Sequence, residues 1–156
     1  MASGNKNSGL ASSSKPKPYV LVVDDSDDDV FLLSRALRKM GVNHPIECAV
    51  NGVEGMKYFK ALLAEGPESG DFPSLVILDL KMPLVDGHEL LAWIRSQPAL
   101  KKLAVYVLSS SIIPGDVSAS IQFGALDHWT KPCSMREYFE LAAKIKNLLP
   151  PRAEAA

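Results

Sequence analysis

Carboxylates follow two of the most apolar runs in the sequence. The stretch VLVVDDSDDD, residues 20–29, turns acidic at Asp24 and Asp25, and the run LVIL, residues 75–78, is followed by Asp79. Three carboxylates brought within about 4 Å would repel one another by roughly 4 kcal/mol per pair at an effective dielectric constant near 20. A divalent cation turns this repulsion into coordination, and because the ligands are all oxygens, Mg²⁺ is the expected ion, with Mn²⁺ the next choice.

The next three aspartates, Asp27, Asp28 and Asp29, are predicted to have a structural role instead. Acidic side chains in the first turn of a helix are stabilised by the helix dipole and by the free amide groups of that turn. We therefore expect these three residues to begin a helix, and Asp24 and Asp25 to bind the metal.

Polar residues also end two later apolar runs. Ser109 to Ser111 follow VYVL, and Lys131 with Pro132 follows ALDHWT. Lys131 adds a cation, and Ser109 to Ser111 add hydroxyl groups, to the set of polar residues that follow apolar runs.

Strand-like runs and helix-like stretches alternate along the chain after residue 18. Strands are predicted at 19–23, 46–50, 75–78, 103–108 and 125–129. Apolar residues at helical spacing predict helices through Val30 to Met40, from Gly52 toward Glu65, through Leu90 to Ile94, from Asp116 to Phe123 and from Ser134 to Leu148. Ser134, followed three residues later by Glu137, predicts a capping box at the last helix.

This alternation predicts an α/β fold, with a five-stranded parallel sheet that is doubly wound between two layers of helices. In such sheets the ligand site lies beyond the carboxyl ends of the strands. The candidate residues all stand at such ends, so we expect them to gather at one edge of the sheet. The expected organisation is a disordered tail at 1–18, one domain at 19–149 and a short tail at 150–156.

The composition excludes several other classes of protein. The 156 residues, 47% of them hydrophobic, can bury one good core, and a formal net charge of −1 gives no field that favours nucleic acid or an anionic membrane. No apolar run approaches the ~20 residues of a membrane span. The two cysteines are too few for a disulfide framework. We therefore expect a cytoplasmic protein whose partners are neither nucleic acids nor membranes.

Four motifs together resemble the receiver domain of two-component response regulators: VLVVDDSDDD, LVILDLKMPLVDG, VYVLSSS and GALDHWTKP. They occur in the family's order within residues 19–149. The resemblance implies a flavodoxin-like (βα)5 fold with strand order 2-1-3-4-5. Within the family, the chain is similar to stand-alone regulators that are paired with bacterial phytochromes and hybrid kinases.

The same resemblance implies a role for each candidate residue. Asp79 would accept a phosphoryl group from a histidine kinase or a phosphotransfer protein. Mg²⁺ would be held by Asp24, Asp25, Asp79 and the backbone carbonyl of Lys81, while Ser109 would be the switch hydroxyl and Lys131 would contact the phosphoryl group. Such a protein catalyses only its own phosphoryl transfer and slow dephosphorylation, so it is not expected to be an enzyme.

The signal is expected to leave through a surface change on the fourth helix, the fifth strand and the fifth helix, and a homodimer through that face is one candidate output. His128, three residues before Lys131, stands where the family commonly has an aromatic residue. We expect it to move on phosphorylation. An imidazole can also titrate near neutral pH.

Three further expectations concern residues beside the site. Lys81 and Ser111, two positions beyond Asp79 and Ser109, should border the path of a hydrolytic water and set the lifetime of the phosphoryl group. The peptide bond between Lys131 and Pro132 is expected to be cis by the family resemblance, although only about 5 to 6% of X-Pro bonds are cis.

Three alternative functions fit the sequence less well. A phosphatase of the haloacid-dehalogenase type needs a second Asp two residues after the nucleophile, where this chain has Lys81. A flavodoxin-like cofactor carrier needs a phosphate-binding loop after the first strand, and DDSDDD would repel phosphate. A receiver fold that only binds a partner and is never phosphorylated usually lacks the acidic pair, the acceptor or the lysine.

Overall fold

The structure is a computed structural model that describes residues 18–66 and 71–152. Strands and helices alternate along it: β1 (Val20–Val23), α1 (Asp27–Lys39), β2 (Ile46–Ala49), α2 (Gly52–Glu65), β3 (Leu75–Leu78), α3 (Gly87–Ser96), β4 (Val105–Ser109), α4 (Pro114–Gln122), β5 (Asp127–Thr130) and α5 (Met135–Leu148). A short 3₁₀ turn, Pro98–Leu100, follows α3. Of the predicted tails, residues 1–17 and 153–156 lie outside the described residues.

The five strands form one parallel sheet in the order β2-β1-β3-β4-β5, which confirms the predicted fold and strand order. Two of the three inner strands, β1 and β3, are buried along their whole length. The edge strands are less buried than the inner strands, because most residues of β2 and β5 are partly or fully exposed. Each edge strand has a neighbour on one side only.

Two apolar layers hold the helices against the sheet. On one face, Leu21 and Val23 of β1 pack with the buried side chains of α2 and α3, which include Phe59 and Ile94. On the other face, Val20 and Val22 of β1 pack with α1 and α5. Alternate side chains of a strand point to opposite faces, so one strand serves both layers. α4 is the exception, because Ser120 is its one fully buried residue.

Local capping explains where several helices begin. Ser26 accepts a hydrogen bond from the Asp29 amide at α1, and Asp86 forms a reciprocal capping box with Glu89 at α3. The capping box predicted at Ser134 forms only in part. Ser134 Oγ accepts from the Glu137 amide at 3.2 Å, but the Glu137 carboxylate accepts from the amide of Cys133, one residue earlier than predicted.

Candidate functional site

The three predicted metal-binding carboxylates meet at the carboxyl edge of the sheet. Asp24 and Asp25 directly follow β1, Asp79 directly follows β3, and carboxylate oxygens from the three residues lie within 4.8 Å of one another. Asp24 and Asp79 are buried, whereas Asp25 is exposed. Strands β1 and β3 are neighbours, which brings the two loops together. The strand order also reverses beside β1, where ligands bind in doubly wound sheets.

Lys131 lies across this cluster from the end of β5. Its ammonium Nζ is 3.0 Å from Asp24 Oδ2, 2.6 Å from Asp29 Oδ2 and 3.6 Å from Asp79 Oδ2. The Lys131 amide donates to the carbonyl of Ser109 at 2.9 Å, which fixes the lysine beside the end of β4. One cation therefore faces three carboxylates that come from two separate loops and a helix.

Asp29 is a contact of Lys131 that the sequence did not predict. We expected only helix-start chemistry for this residue, and it does lie in the first turn of α1. Asp27 and Asp28 stand in the same first turn, so nothing in the sequence singles out Asp29 as the partner of Lys131.

The charged forms of the Asp24 and Asp79 carboxylates are disfavoured by burial and by their mutual repulsion, and Lys131 offsets this only in part. Burial, followed by the charge of Asp24, raises the pKa of Asp79 to about 6, against the opposing effects of Lys131 and the Leu80 amide. Burial also raises the pKa of Asp24, although the Ser26 amide and Lys131 oppose it. Burial alone would lower the pKa of Lys131, but its hydrogen bond to Asp29 and the nearby carboxylates raise it. A divalent cation would supply the missing charge, so the donor set fits Mg²⁺ or Mn²⁺.

The chain behind Asp79 is packed too closely for any side chain at Gly87. A Cβ atom there would lie 2.3 Å from the carbonyl oxygen of Asp79 and 2.7 Å from Cα of Leu80. The Gly87 amide instead donates to the Leu80 carbonyl at 2.9 Å. The Leu80 amide in turn donates to Asp79 Oδ1 at 2.9 Å, which orients the carboxylate. Glycine at 87 thus lets α3 begin directly behind the candidate phosphoacceptor.

Ser109 ends β4 and is fully buried beside this cluster. Its hydroxyl oxygen accepts a hydrogen bond from the Ser111 amide at 3.1 Å. Ser111 and Lys81, the two residues predicted to border a water path, meet at Asp116 in the first turn of α4. The Ser111 hydroxyl donates to Asp116 Oδ2, and Lys81 Nζ lies 3.5 Å from the same oxygen. Asp116 was predicted only as the start of a helix.

Comparison with known proteins decides the family. The family model of the response regulator receiver domain matches residues 20–143. The chain belongs to the receiver-domain family of two-component response regulators. It is therefore a signalling phosphoacceptor by family, and neither the phosphatase alternative nor a receiver fold that only binds a partner is favoured.

Individual relatives narrow the resemblance to phytochrome-associated receivers. The chain is 30% identical to response regulator Rcp1 of Synechocystis over 139 residues, which cover 88% of this chain and 92% of Rcp1. The solved structure of the phosphorylated cyanobacterial phytochrome response regulator RcpA is 30% identical, with a TM-score of 0.75 and coverage of 86% and 99%. The Mn²⁺-bound form of Rcp1 has a TM-score of 0.72 and 30% identity, with coverage of 87% and 100%.

His128 occupies the position in β5 that is commonly aromatic in receiver domains, and it is partly buried. Its Nδ1 atom lies 2.9 Å from Ser120 Oγ, and its Nε2 atom lies 3.4 Å from the carbonyl oxygen of Ser111. Ser120 also contacts His88 Nε2 at 3.1 Å. His88 could not be connected with His128 from the sequence, because the three contacting side chains come from α3, α4 and β5.

The predicted cis bond between Lys131 and Pro132 is wrong, since the described part of the chain contains no cis peptide bond. Lys131 reaches all three carboxylates with a trans bond after it. The general preference of X-Pro bonds for trans, about 0.5–1 kcal/mol, is not overridden at this position.

No helix in residues 18–66 and 71–152 is long and apolar enough to cross a membrane.

Proposed function

We propose that this receiver domain accepts a phosphoryl group on Asp79 from the phosphohistidine of a histidine kinase or a phosphotransfer protein. The observation that carries the proposal is the buried Asp79 carboxylate, held at the end of β3 between Asp24 and the ammonium of Lys131. In the transfer, an Asp79 oxygen bonds to phosphorus as the phosphorus–nitrogen bond breaks, and the imidazole nitrogen keeps the electron pair. The product is an acyl phosphate.

The residues that would hold the metal are Asp24, Asp25, Asp79 and the backbone carbonyl of Lys81, with Mg²⁺ as the proposed ion and Mn²⁺ as an alternative. The Mn²⁺-bound structure of Rcp1 supports a divalent ion in a similar protein. When bound, the ion would neutralise the carboxylates and stabilise charge on the transferring oxygens. Lys131 contributes its own share of that charge from the opposite side, 3.6 Å from Asp79.

Asp79 is suited to be the nucleophile by its protonation as well as its position. Its pKa of about 6 lies below neutral pH, so most molecules carry the attacking carboxylate form there. Asp25, which is exposed, does not share the orienting bond that the Leu80 amide gives Asp79. Burial of Asp79 would have a second role, because the sheet would keep water from one side of the acyl phosphate.

Phosphorylation would then act through Ser109 and His128. The new phosphoryl oxygens are strong acceptors, so the Ser109 hydroxyl would leave the Ser111 amide and donate to one of them. Movement of this loop would change the contact between His128 and the Ser111 carbonyl. The changed surface would be the face formed by α4, β5 and α5.

We place the protein in the cytoplasm, as a phosphoacceptor without any other catalytic activity and without a nucleic-acid or membrane partner. Lys81 and Ser111 are proposed to govern how long the acyl phosphate lasts, since both lie at the edge of the site. The partner on the output face would be another protein, and a second copy of the chain fits the exposed apolar side chains there, Ile121, Phe123 and Leu126.

Phosphorylation by a small donor tests the acceptor. Incubation with acetyl phosphate and Mg²⁺ is expected to give an acid-stable, base-labile phosphoprotein, and EDTA or Asp79→Asn is expected to abolish it. Asp25→Asn should weaken phosphorylation through the metal without removing the acceptor. Equal labelling of wild type and Asp79→Asn would contradict the proposal, and continuous rapid hydrolysis of the donor would favour a phosphatase instead.

The proposed output predicts a change in mass. With beryllofluoride and Mg²⁺ as a phosphoryl mimic, light scattering is expected to show a dimer, while Phe123→Asp, which places a charge on the exposed face, should stay monomeric. The matched control is Phe31→Asp, an exposed phenylalanine on α1, which is not one of the three elements of that face. A wild-type monomer under both conditions would exclude the dimer.

A further inference from the structure

One carboxylate beside the site, that of Asp116, connects two residues next to the phosphorylation chemistry without belonging to the metal cluster. Its Oδ2 atom accepts from the Ser111 hydroxyl and lies 3.5 Å from the ammonium of Lys81. Both contacts are made from the first turn of α4 to residues in two different loops. Lys81 and Ser111 each stand two residues beyond a central group of the site, Asp79 and Ser109 respectively.

The contact with Ser111 reaches the switch hydroxyl. The Ser111 amide donates to Ser109 Oγ at 3.1 Å, while the Ser111 hydroxyl oxygen accepts from the Ile113 amide at 3.3 Å. The side chain and the backbone of Ser111 are therefore both held, one by Asp116 and one by Ser109. As long as the carboxylate keeps Ser111 in place, Ser109 stays in the conformation that faces the Ser111 amide.

The backbone of Asp116 makes a contact with the same switch region. Its carbonyl accepts from the buried Ser120 hydroxyl at 2.9 Å, and Ser120 Oγ lies 2.9 Å from His128 Nδ1. Ser120 thus links the Asp116 carbonyl to His128, and one turn of α4 holds both the switch position and the loop that carries Ser109.

Asp116 and a phosphoryl group on Asp79 would compete for the ammonium of Lys81. The Lys81 side chain is 66% exposed, so its ammonium is free to turn, and it now pairs with Asp116. The Ser111 hydroxyl, followed by Lys81, lowers the pKa of Asp116, which keeps the carboxylate ionised. A phosphoryl group on Asp79, two residues away, would carry nearly two negative charges and attract the same ammonium.

We propose that Asp116 is a positioning residue for phosphoryl transfer: its carboxylate holds Lys81 away from the incoming phosphoryl oxygens and holds Ser111 against Ser109. This inference rests on the proposed role of Asp79 as acceptor. No bond to Asp116 forms or breaks. Its effect comes from where it keeps one ammonium and one hydroxyl.

Asp116→Asn separates the two contacts, because an amide oxygen still accepts from the Ser111 hydroxyl but no longer attracts Lys81 as an ion. Released Lys81 can pair with the phosphoryl oxygens in the transition state. We expect phosphorylation by acetyl phosphate with Mg²⁺ to be about two- to fivefold faster, the scale of an exposed ion pair. The gain should shrink as salt is added, because exposed charges are screened.

The decisive measurement is the same substitution in a Lys81→Met background, where Asp116→Asn should bring no further change. A purely structural role for Asp116 would alter the rate by the same factor in both backgrounds and would not depend on salt, and either result overturns the proposal. An unchanged rate in Asp116→Asn alone also overturns it. Circular dichroism and thermal melting establish that each variant is folded.

Asp28→Asn is the matched control, since Asp28 is an exposed aspartate in the first turn of α1. It removes the same charge from the same part of a helix without touching Lys81, so its rate should stay that of wild type in both backgrounds. Failure of the underlying function gives a different pattern: Asp79→Asn would then be phosphorylated as well as wild type, whatever residue stands at 116.

Discussion

Replacing Lys131 with methionine is expected to lower the free energy of unfolding of the metal-free protein by about 3 kcal/mol, as for removal of one partner of a buried ion pair. The Lys131 side chain is 12% exposed, and those of Asp24 and Asp79 are each 5% exposed. Methionine keeps most of the apolar length of the lysine but leaves two buried carboxylates facing each other. Urea denaturation in EDTA, followed by circular dichroism, measures the loss.

Lys57→Met is the control for removing a lysine from an ion pair at the surface. Lys57 lies 3.5 Å from Glu54, with side chains 70% and 47% exposed, so less than about 0.5 kcal/mol should be lost. Mg²⁺ should restore part of the stability of Lys131→Met, because a cation bound to the carboxylates replaces some of the missing charge. A loss no larger than that of Lys57→Met would show that Lys131 does not neutralise the buried pair.

The sequence predicted the metal cluster because that prediction needed only the order of the elements. Asp24, Asp25 and Asp79 each follow a strand, and neighbouring parallel strands end at the same edge of a sheet. Their convergence is thus a property of topology. It does not depend on the exact bounds of β4 and β5, both of which begin two residues later than predicted.

Side-chain contacts between different elements could not be predicted in the same way. Asp29 reaches Lys131, and Asp116 reaches Lys81, from helix positions that a charge in the first turn already explains. When the start of a helix already explains an acidic residue, the sequence carries no sign that the residue also has a second role. Ser120 is a further case, because a small hydroxyl residue inside a weakly amphipathic helix predicts neither burial nor contact with two histidines.

The edge strands show that the burial of a strand is also hard to predict from its sequence. β2 and β5 were predicted from apolar character, yet their side chains are largely exposed, because burial in a sheet depends on which strands lie at the centre. The order of strands is not encoded in the character of each strand alone. The family resemblance supplied it, and the sheet order confirms that contribution.

Asp79→Asn is expected to stabilise the metal-free protein, even though it removes the proposed phosphoacceptor. Burial and the charge of Asp24 raise the pKa of Asp79 from its ordinary 3.8 to about 6. The folded protein therefore holds a proton more tightly than the unfolded chain does, and ionising Asp79 costs folding free energy. A shift of about two units corresponds to roughly 3 kcal/mol, so the variant should be up to about 3 kcal/mol more stable at pH 7.5.

The pH dependence of stability tests the sign of this predicted effect. A raised pKa gives the folded wild type a contribution to stability that is complete below about pH 4 and is lost as the pH rises through about 6. The advantage of Asp79→Asn in EDTA should therefore be small at pH 4, grow between pH 4 and 6, and stay constant above. Asp28→Asn, which removes an exposed carboxylate, should show no such growth.

Mg²⁺ should stabilise wild type more than Asp79→Asn, which is the opposite of the difference expected in EDTA. Mg²⁺ stabilises the folded state more when it binds more tightly, and Asp79→Asn lacks one of the proposed ligands, so added Mg²⁺ should raise the melting temperature of wild type more than that of the variant. A variant no more stable than wild type in EDTA at pH 7.5 would show that Asp79 is not strained by its neighbours. The repulsion among the carboxylates of the metal-free protein would then not be what favours binding of the cation.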